Sequence, residues 1–563
     1  MDLFEELIDE IKKKEYTEKE LNILKRELSQ KYHVKKIPTH METLFHAEST
    51  DFESLKKKLI SKPVRSAAGV APVAIMTRPE ACPHGKCTMC PGGPGSYFGD
   101  VPQSYTGKEP ATMRGIRNDY DSYLQVMNRL EQYAILGHNF EKVELIIMGG
   151  TFPAMSSEYQ DEFIRFAFKA LNDFSQQFFE NGEFLYLKFK DFFELPIEKV
   201  GAKDREERVQ AKLRLLKNNC TLKQEQLRNE TSQIRCVALC IETKPDWGFL
   251  QHGNELLELG CTRIELGIQS VYEDVIKKIH RGHTIQDTKD SIRILKDLGF
   301  KITGHYMPGL PLTDRERDIK GLQELFQNEE FRPDMLKVYP CMVSKGTALY
   351  VDFMQGKFTP IDAAEAAVRI AELKKIIPEY CRIMRIQRDV PTKQWAAGVE
   401  MTNFRQYFME NFNVNCRCIR CREPKSTIPI TWNNVEIKIE KYQASKGTEF
   451  FISAVDTSQD VLIGFARLRF PAEHLRAEIT PTSALLRELH VYGTAIGLGV
   501  QGETGSVQHK GWGQKLMKKA EELCLEHGKD KLVVISGVGV REYYKQKLGY
   551  HQEGPYVVKQ LKN

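Results

Sequence analysis

Six short apolar runs, each closing in polar residues or in Gly and Pro, constrain the fold of this chain most. They are the end of 62–77 (KPVRSAAGVAPVAIMT), 142–151 (KVELIIMGGT), VALCIETKPD from Val237, RIELGIQS from Arg263, KITGHYMPGLP from Lys301 and MLKVYP from Met335. Helical spacing separates them, as in the polar stretch 119–136. Short apolar runs alternating with helices read as parallel strands in βα units. The pattern predicts an α/β fold, an incomplete (β/α) barrel over about 71–340, with its active site at the C-terminal ends of the strands. A complete eight-stranded barrel stays open, because RIQRDVP follows from Arg385.

The loop after the first run carries chemistry. Residues 81–94 read ACPHGKCTMCPGGP, with Cys82, Cys87 and Cys90 in a C-x4-C-x2-C spacing. The Pro-Gly-Gly-Pro turn that follows cannot continue a helix. Three thiolates on one loop suit a [4Fe–4S] cluster with one iron left open. Zinc is the rival, since His84 inside the loop would complete a three-cysteine, one-histidine set. Free thiols are the third reading. Gly149 and Gly150, closing the second run, let a backbone approach a ligand closely and offer amides to a charged group.

At 563 residues the chain is long enough for about two to four domains. A content of 41% hydrophobic and 28% charged residues is that of a soluble globular protein. No apolar run reaches the roughly 18 residues of a membrane helix. The start, MDLFEELIDEIKKKEY, lacks the apolar centre of a secretion signal. Thirteen cysteines then point to reduced thiols and a cytoplasmic setting. A formal charge of +5 permits a nucleic-acid partner without requiring one.

Residues 1–70 read as amphipathic helices, with Leu3, Phe4, Leu7, Ile8 and Ile11 as an apolar stripe. Lysines cluster at Lys12, Lys13 and Lys14, at Lys35 and Lys36, and at Lys56, Lys57 and Lys58. They are either solvated helix faces or a surface that grips phosphates. The charged insert 199–235 is equally a substrate arm or a solvated helix. Cys416, Cys418 and Cys421 in CRCIRC suggest a structural zinc site, with His280 or His283 of IHRGHT as a possible fourth donor; a second cluster and free thiols are the alternatives. The spacing divides the rest into a barrel over 71–395, a cysteine-containing linker over 396–430 and a last unit over 431–563.

That last unit has FISAVD, VLIGFARLRF and LLRELHVYG as strands, then QHKGWG opening an amphipathic helix. A Q-x-x-G-x-G turn at a helix start suits a pyrophosphate. With the sheet before it and the Tyr-rich end after it, it fits an acyl-CoA-binding, α+β acetyltransferase (GNAT-like) domain.

Together KPVRSAAGVA, the cysteine loop, SYTGKEP, MGGT, IETKPD, ELGIQSVYEDV, HRGHT, KVYP, IQRDVP, RELHVYG, QHKGWG and VISGVGVREYY resemble the Elongator protein 3 family over nearly the whole chain. The resemblance implies a partial radical S-adenosylmethionine (SAM) barrel followed by a GNAT-like domain, in a bacterial or archaeal member that stands alone or forms homo-oligomers. It implies carboxymethyl-type modification of tRNA uridine 34 at C5, with acetyl-CoA as co-substrate and no membrane partner. Cys82, Cys87 and Cys90 would hold the cluster, and SAM would yield a 5′-deoxyadenosyl radical that takes hydrogen from the acetyl methyl. Thr151, Glu242 and Gln269 join Gly149 and Gly150 as candidate cofactor contacts. Acetyl-CoA contacts map onto Lys142, onto Glu488, Leu489, His490 and Val491, onto Gln508, His509, Lys510, Gly511 and Gly513, and onto Tyr544. The tyrosines stand one residue further from Gly549 than acetyltransferases usually place theirs, so Tyr543 and Tyr544 are both candidates to face the thioester. A protein lysine acetyltransferase with a purely structural cluster is the alternative; it would need a general base near Glu488 or His490.

Overall fold

The computed structural model describes residues 2–59, 69–196, 203–425, 428–493 and 511–561. Seven strands form its first large sheet: β1 Ala71–Met76, β2 Lys142–Met148, β3 Arg235–Thr243, β4 Arg263–Gln269, β5 Lys301–Tyr306, β6 Met335–Val338 and β7 Arg382–Arg385. Their order in the sheet is their order in the chain, and every neighbouring pair is parallel. The six runs all appear as strands. The seventh comes from Arg382–Arg385, just ahead of most of RIQRDVP, and no eighth strand joins among the described residues. The result is the incomplete barrel.

Strand period two decides what each face meets. In β2, Val143, Leu145 and Ile147 are fully buried, in a core shared with the helices Ser122–Ile135 and Ser157–Phe178. The other face is polar where the runs read as apolar. Glu144, Arg263, Glu265, His305 and Lys337 meet there inside the barrel.

Four helices precede the barrel: Leu3–Lys13, Glu18–Lys31, His40–Phe45 and Ser49–Leu59. Capping boxes at Asp2, Thr17 and Thr39 start the first three. Leu3, Leu7, Ile8 and Ile11 are buried, while Phe4 stacks on His46. Tyr186 donates to the Leu44 carbonyl at 2.6 Å and stacks on Phe52, which ties the segment to the barrel. Of the clustered lysines, Lys12 pairs with Asp51, Lys13 with Glu10, Lys36 with Glu42 and Lys58 with Glu15. The charged insert also docks: Arg205 meets Glu131, Arg208 and Lys212 meet Glu194, and Lys217 meets Asp121. These pairs hold the insert's helix, Lys203–Leu216, against neighbouring elements.

The C-terminal sheet also has seven strands: β8 Val435–Ala444, β9 Gly447–Asp456, β10 Val461–Phe470, β11 Ser483–Val491, β12 Lys531–Val534, β13 His551–Glu553 and β14 Tyr556–Gln560. Its order is β8-β9-β10-β11-β12-β14-β13, antiparallel except for β11 with β12. Those two pair from Ser483 to Leu486, after which β11 runs on without β12. The helix Trp512–Glu526 packs on this sheet through Leu516, Met517 and Ala520.

This sheet covers the N-terminal mouth of the barrel. Tyr556 donates to the Leu298 carbonyl, and Arg487 to the Phe300 carbonyl just before β5. A Cβ on Gly537 would sit 2.0 Å from the Val237 carbonyl oxygen in β3, so the backbones touch. At the centre, Arg469 pairs with Asp297 and Glu449, and Arg487 pairs with Asp334 and Glu449. Arg487→Met leaves buried carboxylates short of a partner. It should cost about 3–5 kcal/mol in urea unfolding of the interface; a cost below about 1 kcal/mol would show that water reaches these charges.

Candidate active site

The two ends of the barrel carry different chemistry. At the C-terminal end the cysteine loop leaves β1 and folds back over β2. Thr77 donates through its hydroxyl to the Gly149 carbonyl at 2.9 Å. A Cβ on Gly149 would lie 2.2 Å from that hydroxyl, and Gly149 and Gly150 have φ of +123° and +87°. Glycine is required by both contact and conformation. Cys82 Sγ lies 3.5 Å from the Thr151 hydroxyl, so the Gly-Gly-Thr turn and the cysteine loop form one surface.

The HRGHT segment closes on the same loop. Thr88 donates its amide to the Ile279 carbonyl, and a Cβ on Gly282 would strike His84 at 2.4 Å. Arg281 anchors on the Gly267 carbonyl and points Nη1 at Cys87 Sγ, 3.6 Å away. Cys90 Sγ accepts from the Ser104 amide at 3.3 Å, and His84 Nε2 is 3.2 Å from Cys87 Sγ. Burial pushes the Cys82 and Cys90 thiols up. Burial, then Arg281, Lys244 and His84, pull His283 far down and keep its ring neutral. Both ring nitrogens of His283 and the Thr88 hydroxyl are buried with no hydrogen-bond partner among the described residues. Three thiols, nearby cations and unspent polar atoms fit an anionic thiolate-held cluster and a polar ligand beside it.

Below that end runs the polar interior. Arg263 bridges Glu144 and Glu265; Glu265 also meets His305 at 2.9 Å and Lys337. Burial alone would raise the Glu265 carboxyl, but Lys337, Arg263 and His305 hold it well below the usual carboxylate range. Glu242 accepts from the Tyr105 hydroxyl at 2.9 Å and lies 3.7 Å from Lys337. Glu242, Glu265 and His305 come close enough to share an ion, but the Lys337 ammonium already supplies a positive charge there. Gln269 ends β4 with φ +66° and accepts from the Met307 amide through its carbonyl.

At the N-terminal mouth, β11 presents Glu488, Leu489, His490 and Val491 on the stretch that β12 no longer pairs. Glu488 accepts from Arg467 Nε at 2.8 Å, and Lys301 Nζ stands 4.0 Å from its other oxygen. Burial opposes its ionisation, yet Lys301, Arg467 and His490 together hold the carboxyl below its usual value. His490 Nε2 is buried without a hydrogen-bond partner. Gly511 opens the Trp512–Glu526 helix with φ +74°, and among the described residues no atom lies within 4 Å of its Cβ position. A Cβ on Gly513 would lie 3.3 Å from the Tyr543 hydroxyl, whereas Tyr544 is buried in the core against Tyr550. Gln508, His509 and Lys510 lie outside the described residues. Lys142 begins β2, opposite Arg235. A Cβ on Gly539 would touch Arg235 at 2.5 Å, so Lys142 stands at the domain junction. The length of β2, about 20 Å, separates it from Gly149.

Residues 1–67 match the ELP3 N-terminal domain, 76–320 the Radical SAM superfamily and 333–412 the Radical_SAM C-terminal domain. The chain is 43% identical over 533 residues to a tRNA uridine(34) acetyltransferase of Methanocaldococcus jannaschii, covering 93% of this chain and 90% of the relative. It is 37% identical over 556 residues to human Elongator complex protein 3, covering 96% and 93%. The chain belongs to the Elongator protein 3 family. The solved structure of the archaeal Methanocaldococcus infernus Elp3, lacking its N-terminus, superposes with a TM-score of 0.71 at 38% identity, covering 88% of this chain and all of that one.

In this family member the second cysteine triplet forms a group of its own. Cys416, Cys418 and Cys421 place their sulfurs within 4.8 Å of one another. Hydrogen bonds from Cys416 and Cys418, then the Lys374 ammonium, pull the Cys421 thiol down. His280 and His283 are not its fourth donor: their segment packs on the Cys82–Cys90 loop, with Gly282 against His84. Cys381 lies beside the triplet: its carbonyl accepts from the Ile419 amide, and burial and then Cys418 push its thiol up.

Sequence reasoning did not single out Tyr105, Arg263, Glu265, Arg281, His305 or Lys337. The detectable signal was one charged residue at alternate positions of an apolar run, as in RIELG and MLKV.

Cys82, Cys87 and Cys90 changed to Ala should abolish cluster content on anaerobic reconstitution while the C-terminal domain stays folded; metal analysis showing full iron in the triple variant would move the site. Tyr543→Phe should weaken acetyl-CoA binding without lowering thermal stability. Tyr544→Phe should do the reverse, measured by calorimetric titration and melting.

Proposed function

We propose that this chain modifies the wobble uridine of tRNA at C5, drawing the added carbons from acetyl-CoA. The observation that carries this reading is the two-ended barrel. A three-cysteine loop lies at one end, the stretch of β11 that β12 leaves unpaired lies at the other, and the polar interior runs between them. Such an arrangement suits a group that leaves a thioester at one end and reacts at the other. The relatives named as tRNA uridine(34) acetyltransferases support the same substrate.

Cys82, Cys87 and Cys90 would hold the cluster, with Arg281 and Lys244 offsetting the negative charge of the thiolates. Bound SAM and cluster would supply a carbon-centred radical able to remove hydrogen from an acetyl methyl group. Gly149, Gly150 and Thr151 would offer backbone and hydroxyl contacts to the charged end of SAM, and Glu242, held by Tyr105, a carboxylate on the far side. Near the other mouth, the N-terminus of the Trp512–Glu526 helix, begun by Gly511, suits a pyrophosphate. Lys142, Glu488 and His490 would face the acyl end. Despite burial, Lys301 and Arg467 hold the Glu488 carboxyl below its usual value, which suits it poorly as the general base that a protein lysine acetyltransferase needs.

The carboxymethyl-type product, the GNAT-like domain over 431–563 and zinc at Cys416, Cys418 and Cys421 belong to this same proposal. So does tRNA contact by residues 1–70: exposed pairs such as Lys36–Glu42 contribute little, so phosphates can replace the carboxylates at low cost. Reconstituted protein given tRNA, SAM, reductant and acetyl-CoA should yield a carboxymethylated uridine by nucleoside mass spectrometry. Product that forms equally well without acetyl-CoA would defeat the proposal.

A further inference from the structure

The ion network at the barrel mouth holds one charge pair more than its neutrality requires. Arg469, Arg487 and Lys296 stand against Asp297, Asp334 and Glu449, all buried, three cations against three carboxylates. Arg487 gives Asp334 two hydrogen bonds, at 3.0 and 2.5 Å, and the Ile302 amide adds a third at 2.8 Å. Asp334 therefore does not need Arg467. Yet Arg467 is also buried, its guanidinium 5.3 and 5.2 Å from the ring centres of Phe451 and Phe465, with Nε on Glu488. Two phenyl rings and Asp334 behind them fix the plane of the guanidinium.

Burying an ion pair that charge balance does not demand is costly. We propose that Arg467 is a positioning residue for the acetyl-CoA chemistry at the barrel mouth, holding Glu488 as an oriented carboxylate beside Lys301 and His490. The inference rests on the functional reading above, which places acetyl-CoA at this mouth. The groups that face Glu488 are Lys301 at the start of β5, Arg467 on β10 and His490 on its own strand, with Arg382 and Glu423 beyond His490. Without the guanidinium, burial pushes the Glu488 carboxyl upward. A depressed carboxyl keeps its charge down to acidic pH; a raised one loses it at higher pH as the solution is acidified.

The test compares full-length reconstituted wild type with Arg467→Met, Arg467→Lys, Glu488→Gln and the Arg467→Met/Glu488→Gln double variant. Arg467→Met should slow acetyl-CoA-dependent tRNA product at least about tenfold at neutral pH and move the acid limb up by about one pH unit or more. Arg467→Lys, with charge but no planar fork, should keep the wild-type limb at reduced rate. The double variant should be no slower than Glu488→Gln alone, because both changes remove one function. Wild-type rate and limb in Arg467→Met, or additive losses in the double variant, would overturn the assignment. An infrared titration without substrates, with the band assigned by Glu488→Gln, tests the same claim if no product forms at all. A Glu488 carboxyl that titrates identically in wild type and Arg467→Met refutes it, whereas a raised titration with no product leaves it standing and removes only the functional reading.

Discussion

Asp334 is the residue on which the two halves of the molecule meet. Its side chain accepts from Arg487 and from the Ile302 amide, and its carbonyl accepts from the Arg382 amide at 3.1 Å. One residue thus ties β5, β6 and β7 together through its carboxylate and its carbonyl, and its carboxylate docks the C-terminal sheet on them. A buried guanidinium is tolerable only when paired, so the sheet has one seating in which Arg469 and Arg487 both find their partners. Glu488 and His490 owe their place at the barrel mouth to that seating.

The polar interior follows from the same constraint. A parallel barrel normally fills its centre with branched apolar side chains, and this one instead buries Arg263 with Glu144 and Glu265, and Lys337 with Glu265. Each charge is balanced locally, so the strands close without an unpaired ion. The gain is a route of fixed dipoles between two chemically distinct mouths. Preorganised charge of this kind stabilises a reacting group without reorganisation at the moment of reaction. Tyr105 on Glu242 extends it to the loop that carries Cys90, through Ser104.

Much of this was legible in the residues. The six apolar runs became strands because both of their ends are punctuated and helices cover their outer face. The cysteine loop and the Gly-Gly-Thr turn converge because both leave neighbouring strands at the same end. Other features were hidden. β8 alternates Val and Ile with Glu and Lys and was not among the strands picked out in the last unit, although its period of two marks an edge strand. The single charges within RIELG, KITGHY and MLKV looked incidental until parallel register placed them side by side. Spacing did not distinguish Tyr543 from Tyr544; in the fold Tyr544 is buried against Tyr550, while the Tyr543 hydroxyl lies beside Gly513 at the start of the Trp512–Glu526 helix. The pairing of His283 with the wrong cysteine triplet shows the same limit, since nothing local reveals that Gly282 packs on His84.

The central claim is that one acetyl group passes from the C-terminal domain to the cysteine-loop end of the barrel. Acetyl-CoA deuterated at the methyl group tests this most directly, with tRNA, SAM and reductant present under anaerobic conditions. The account predicts deuterium in the 5′-deoxyadenosine released and in the new uridine substituent of the same reaction. Unlabelled 5′-deoxyadenosine together with an unlabelled substituent would contradict it.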